Sequence, residues 1–263
     1  MLIQGTGTEF AYKNIGRSEL DMGSEIFISA SGCISMVNAL NMIANNIANA
    51  DTSGFKRDIP SFSSQLESSW RSSYSMKQLP MSKFEGGNID FTEGPIRITG
   101  NHLDFALQGK GFFVIKTPQG ILYTRNGSFK LNSRRELVTS DGFNVMGQKG
   151  PIKVPAKGIE CDLNGVLRSE GKEIERFQIV EFSAFSSLEK VGNSLFRSKG
   201  EPKLSSNPIR TTVHQGKLEQ SNVNIVKEIT GIIETLRAFE SHQKAILALD
   251  EVSQKTVNEV GRL

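Results

Sequence analysis

Between Glu25 and Asp51 the chain carries no charged residue, yet it is far from apolar. Cys33, Met36, Leu40, Ile43, Ile47 and Ala50 alternate spacings of three and four. That is the rhythm of a heptad seam rather than the broad face of a globular helix. The flanks are Ser31, Ser35, Asn38, Asn41, Asn45, Asn46 and Asn49, where a lone soluble helix would carry Lys and Glu. A helix of this kind is built to be surrounded. Asp51-Thr52-Ser53-Gly54 ends it, with Gly54 free to take the positive φ of a helix exit.

The opposite end of the chain has a matching seam. Ile225, Ile229, Ile232, Leu236, Phe239, Gln243 and Ile246 repeat the alternation of four and three, continuing to Val257 and Val260 across Asp250 and Ser253. Two heptad helices at the termini predict a helical pair that closes on itself and on copies of itself. The expected fold class is α+β: terminal helices pairing in a coiled-coil-like domain around a central antiparallel β body.

The body is read from its turns. Ile96 and Ile98, then Leu103, Phe105 and Leu107, recur at every second position, and Phe112 to Ile115 is a continuous apolar run. Thr117-Pro118-Gln119-Gly120, Asn126-Gly127, Asp141-Gly142 and Asn164-Gly165 predict tight turns between strands that recur at roughly ten-residue intervals. That pattern predicts an antiparallel sandwich or barrel-like body. Further strands are expected over Ile174–Phe182 and Leu195–Ser198, with a loop from Pro202 to Pro208. Gln215–Glu219 reads as the connection back to the helices, with Ser221 or Asn222 as N-cap of a helix beginning near Val223.

The run SG…ANNIANADTSGFKRD resembles the N-terminal signature of the flagellar rod, hook and hook-associated axial proteins. LDFALQGKGFFVI…YTRNGSFKLN…LVTSDGFNVMGQKGPI is similar to the middle of the rod proteins, and LEQSNVNIVKEITGIIETLRAFESHQKAI…VNEVGRL to their C-terminal signature. The wording of the last two stands nearer the proximal than the distal rod subunits. The resemblance implies a structural subunit of the flagellar basal-body rod, crossing the periplasm, with copies of itself and other rod proteins as partners. It also implies delivery by the flagellar type III export apparatus without a cleaved signal peptide. Its assembly interface is expected along Cys33, Met36, Leu40, Ile43, Asn45, Asn46, Ile47, Asn49, Gly54 and Phe55. On the C-terminal helix it is expected along Ile225, Ile229, Ile232, Leu236, Phe239, Gln243 and Ile246.

The expected organisation is a leader over 1–21, an N-terminal helix over 22–56, a Ser-rich connecting arm over 57–83, a β body over 84–216 and a C-terminal helix over 217–263. Family members begin a few residues before the helix, so 1–21 reads as a leader or an upstream start. The arm carries Phe62, Leu66, Trp70 and Tyr74 at intervals of four, compatible with a short helix or an extended arm.

Other function classes find little support. A net charge of +3, with basic and acidic residues interleaved, argues against nucleic acid. Gln108-Gly109-Lys110-Gly111 has no third glycine and leads into a strand, so no helix N-terminus is in place to receive a phosphate. Asp162-Leu163-Asn164-Gly165 lacks the remaining ligands of a calcium loop. His102, His214 and His242 fall in different elements with no nucleophile arranged beside them, so neither catalysis, cofactor, metal nor small-molecule substrate is expected. Cys33 and Cys161 read as free thiols, a bridge between them having no spacing argument. Ile26 to Ala50 holds five Asn and three Ser, which suits neither a signal peptide nor a membrane span. From another class, a secreted β-domain binding module oligomerised by its helices is the alternative.

Overall fold

The computed structural model describes residues 30–64, 82–199 and 210–260. The leader, the middle of the Ser-rich arm and the Pro202–Pro208 loop lie outside the described residues. Two helices bracket eighteen short strands among the described residues, so the fold is α+β. Helix α1 covers 30–48 and helix α2 covers Ile225–Val260.

The chain divides into two compact units. One comprises 46–58 and 89–225, and the other holds the described residues of 30–45, 59–64, 82–88 and 226–260. The last turn of α1 and the exit that follows it therefore belong to the β-rich unit. The N-terminal part of the arm becomes β1 (Asp58–Ser64), which pairs with β2 (Ser82–Ile89).

The β-rich unit is organised around β5 (Gly111–Thr117). Its run Phe112-Phe113-Val114-Ile115 is continuously apolar because the strand is buried on both faces. Alternation sends Phe113 and Ile115 into one cluster, with Phe105, Leu107, Phe129, Val145 and Phe177. Phe112 and Val114 point the other way, to Tyr123, Phe182, Leu188 and Phe196. Each such side chain contributes about 1.5–3 kcal/mol through burial.

Around β5 runs an antiparallel sheet. Thr117–Gly120 closes the hairpin to β6 (Gly120–Thr124), with Val114 opposite Tyr123. β6 carries β16 (Leu195–Ser198), which carries β15 (Leu188–Gly192). On the other side β5 pairs with β14 (Ile179–Glu181) and with β9 (Asn144–Gly147). From β9 the sheet passes to β8 (Leu137–Val138) and β7 (Lys130–Leu131), and β10 (Gly150–Pro151) pairs back onto β9. A separate meander joins β11 (Glu160–Cys161), β12 (Val166–Ser169) and β13 (Lys172–Arg176).

Two predicted details differ. Asn126-Gly127 closes no hairpin: Gly127 lies against the Phe105 backbone, where an added Cβ would fall 1.7 Å from the carbonyl oxygen. Here the glycine serves a close approach between two segments of the chain, which the letters Asn-Gly cannot distinguish from a turn. Gln215–Glu219 is likewise no plain connection. β17 (Thr212–Gln215) pairs with β4 (Phe105–Gln108), and β18 (Lys217–Glu219) pairs with β3 (Ile96–Ile98).

Candidate assembly site

Helix α1 ends in a strap, residues 46–58, that closes on itself through Asn46 and Asp58 and is fastened to the rest of the β-rich unit from Gly54 to Asp58. Asn46 is fully buried and its amide copies a strand neighbour, donating to the Asp58 carbonyl at 2.8 Å and accepting from the Asp58 N–H at 2.9 Å. Thr52 then turns the chain, its N–H on the Asn49 carbonyl. Gly54 follows at φ +67, and a Cβ there would fall 2.3 Å from the Asn126 nitrogen, so only glycine fits. Its N–H donates to the Glu219 carbonyl at 2.8 Å. Phe55 is buried with the Lys190 ammonium 4.1 Å above its ring. Lys190 also pairs with Asp58 at 2.6 Å. The Arg57 N–H donates to the Asn222 side-chain oxygen at 2.7 Å.

At the centre lies an ionic hub. Lys56 is 0% exposed, and its Nζ donates to Glu219 Oε1 at 2.7 Å and to the Thr92 carbonyl at 2.6 Å. Glu219 Oε1 also accepts the Gly94 N–H at 3.0 Å, and Oε2 lies 3.5 Å from Arg125 Nη1. Arg125 is 1% exposed, donates to the Leu107 and Gly109 carbonyls and sits over the Phe112 ring. Burial pushes both Lys56 and Arg125 below their ordinary pKa ranges, and the Glu219 carboxylate opposes the shift in each. One carboxylate thus faces two buried cations, with Glu93 and Glu181 adding a weaker field at Arg125.

Hub and strap hold the roots of both helices. Ser221 accepts the Val223 N–H just ahead of α2, which begins at Ile225 rather than Val223. Asn222, predicted as an N-cap, is instead spent on Arg57, Asp90 and Thr92.

The two helices pack within the other unit. A Cβ on Gly32 would fall 3.2 Å from the His242 ring, and one on Gly231 would fall 3.5 Å from the Ile43 side chain. These two contacts order the helices antiparallel. The inward stripe of α1 in this unit is Gly32, Ser35, Ala39 and Ile43, all buried. Small residues lead it because the bulk comes from α2, where Ile232, Thr235, Phe239, His242, Ile246 and Leu249 are half-buried on alternating steps of three and four.

The expected interface residues divide accordingly. Ile43, Asn46, Gly54 and Phe55 are buried, Cys33, Met36, Leu40, Ile47 and Asn49 half-buried, and Asn45 exposed. On α2, Ile232, Phe239 and Ile246 are half-buried, whereas Ile225, Ile229, Leu236 and Gln243 are exposed. Exposed apolar side chains remain on both helices, among them Ile34, Val37, Val226, Ile233 and Leu247. Cys33 and Cys161 are free and half-buried. No helix among the described residues is long and apolar enough to cross a membrane.

Sequence reasoning missed Lys56, Arg125, Glu219 and Asn222 as one cluster. The available signal was local: Arg125 follows the apolar alternation of β6 and Glu219 follows Leu218 in a short strand, each a charge where the pattern asks for a buried residue.

Three family models match the chain in order. Flagella basal body rod protein matches residues 28–56, the Flagellar hook protein FlgE/F/G D1 domain 106–170, and the Flagellar basal body rod FlgEFG protein C-terminal 214–259. Lys56, Arg125 and Glu219 fall one in each. The chain is 31% identical to the flagellar basal-body rod protein FlgG of Bacillus subtilis over 258 residues, covering 89% of this chain and 97% of that one. It is 30% identical to the rod protein FlgF of Caulobacter vibrioides over 246 residues, covering 92% and 100%. To FlgG of Agrobacterium fabrum it is 33% identical, covering 86% and 95%.

Proposed function

The chain belongs to the flagellar basal-body rod protein family, and on that premise we propose that it is the proximal rod subunit, FlgF in type, assembling through the outer faces of its terminal helices. Membership makes it a structural rod subunit of the bacterial flagellum, located in the basal body, and not an enzyme. Rod proteins assemble with copies of themselves and with other rod components.

The observation that carries the helix assignment is the row of exposed apolar residues that flanks the half-buried stripe of α2. Ile225, Val226, Ile229, Ile233 and Leu236 are 43–74% exposed on the first three turns of α2. A subunit that stayed alone would gain nothing from such a face. A head-to-tail contact repeated by a constant rotation covers it on every copy but the last and yields an open tube rather than a ring. The amides beside it, Asn45 and Gln243 among them, then pair across chains and fix the register, as polar residues do at coiled-coil seams. Export without a cleaved signal, through the type III apparatus, belongs to the same reading.

Deleting the chain and complementing it with Leu40→Asp or Leu236→Asp variants tests the proposal. Exported but unassembled protein and rods stopped short are expected. Normal rods and swimming with both charges in place would overturn the assignment of the helices. The position of the subunit in purified basal bodies separates proximal from distal type.

A further inference from the structure

A cavity of about 210 Å³ opens on the β-rich unit beside Thr52 of the strap. Nine of its ten lining residues are polar and the tenth is Leu195. No Lys, Arg or His lines it, so it offers no cation to a phosphate or a carboxylate, and Asp141 repels both. Asp141 is its single carboxylate, and no group of three or more acidic, His or Cys side chains able to hold a metal occurs among the described residues.

Part of the lining is committed to the fold. Thr124 donates to the Ser194 carbonyl and accepts the Asn126 N–H, and Thr139 accepts the Phe143 N–H. Ser128, Ser140, Asp141 and Asn193 keep their side-chain polar groups without a partner among the described residues, and so does the Asn126 NH2. The wall also holds two local costs. Asn193 and Ser194 form the two-residue turn between β15 and β16 at φ 49 and 56, where Asn-Gly would be at ease. The Ser194 hydroxyl is buried and unpaired as well. A hairpin with no other duty would put glycine there and be rid of both.

We propose that this cavity is a binding site for one neutral sugar residue. Vicinal hydroxyls both donate and accept, which matches a carboxylate set among serine hydroxyls and carboxamides. The volume, below the roughly 300–1,000 Å³ of sites for drug-sized ligands, suits one ring and not an oligosaccharide. The site is independent of the helical faces and of the rod assignment.

Saturation-transfer NMR on the purified full-length chain tests it, with glucose and N-acetylglucosamine as probes and inorganic phosphate as the anionic control. Saturable transfer to at least one sugar in the millimolar range is expected. Asp141→Ala, at an exposed position, should weaken it about tenfold, one charge-assisted hydrogen bond's share, and Ser140→Ala, also exposed, about fivefold, the share of a neutral one. Absence of transfer to either sugar, transfer unchanged in both variants, or competition by phosphate would each overturn the proposal.

Discussion

Lys56 and Glu219 are 163 positions apart in sequence and meet at 2.7 Å as an ion pair in which neither side chain is more than 1% exposed. The pair joins the exit of α1 to the strand that feeds α2, and the surplus cation is Arg125. Desolvating these charges costs so much that the pair is a device of position before it is one of stability.

Charge balance makes the two partners unequal. Glu219→Gln leaves Lys56 and Arg125 buried with no carboxylate in contact, and should destabilise the β-rich unit by roughly 3–5 kcal/mol. Lys56→Met leaves Arg125 and Glu219 as a balanced pair and forfeits only its own hydrogen bonds, about 1–3 kcal/mol. Urea melts followed by circular dichroism compare them, and equal losses would refute the imbalance.

Asn46→Ala tests the strap at its other end. The substitution removes both hydrogen bonds to the Asp58 backbone at a side chain that is 0% exposed. The cost should be about 2–4 kcal/mol, confined to residues 46–58. Amide exchange at Asp58 and Gly54 should accelerate while that of Phe113 and Ile115 in β5 stays slow. Uniform acceleration would mean that strap and β-rich unit unfold as one.

Burial pushes the Cys161 thiol up to about 12 from an ordinary 9.0, with the Asp162 carboxylate adding to the shift. A raised acid pKa means that the folded state keeps its proton after the unfolded state has lost it. The contribution to stability is therefore whole below pH 9 and declines as pH rises from 9 towards 12. Three pH units also leave the folded thiol with about a thousandfold less thiolate than the unfolded one at pH 8. Iodoacetamide should label Cys161 slowly in the native chain and fast in urea, as read by mass spectrometry of its tryptic peptide. Equal rates would contradict the raised thiol pKa.

The termini and the strand turns were legible because they rest on short-range rules: heptad spacing, the turn at Asp141-Gly142, the continuous apolar run of β5. The hub was not, since Lys56, Arg125 and Glu219 belong to three segments whose meeting depends on tertiary pairing. The phase of the helices was half legible. Counting apolar residues selects Cys33, Met36 and Leu40, whereas the fold turns Gly32, Ser35 and Ala39 inward. Hydrophobicity cannot see that a helix facing Phe239 and His242 packs best on its smallest side.

That inversion can be tested at Gly32. A Cβ there sits 3.2 Å from His242 Cε1, and the half-buried imidazole can give way by a few tenths of an ångström. Gly32→Ala should therefore be close to neutral, the tight contact offsetting the roughly 1 kcal/mol by which alanine favours a helix interior. Gly32→Leu has no such room and should cost about 1–3 kcal/mol through overpacking, driving α1 from α2. Faster exchange at the α1 amides of residues 35–43 and loss of swimming are the expected readouts, with the β5 amides unchanged. A Leu variant that exchanges and swims like the parent would show that the small-residue stripe does not face α2 in the working rod.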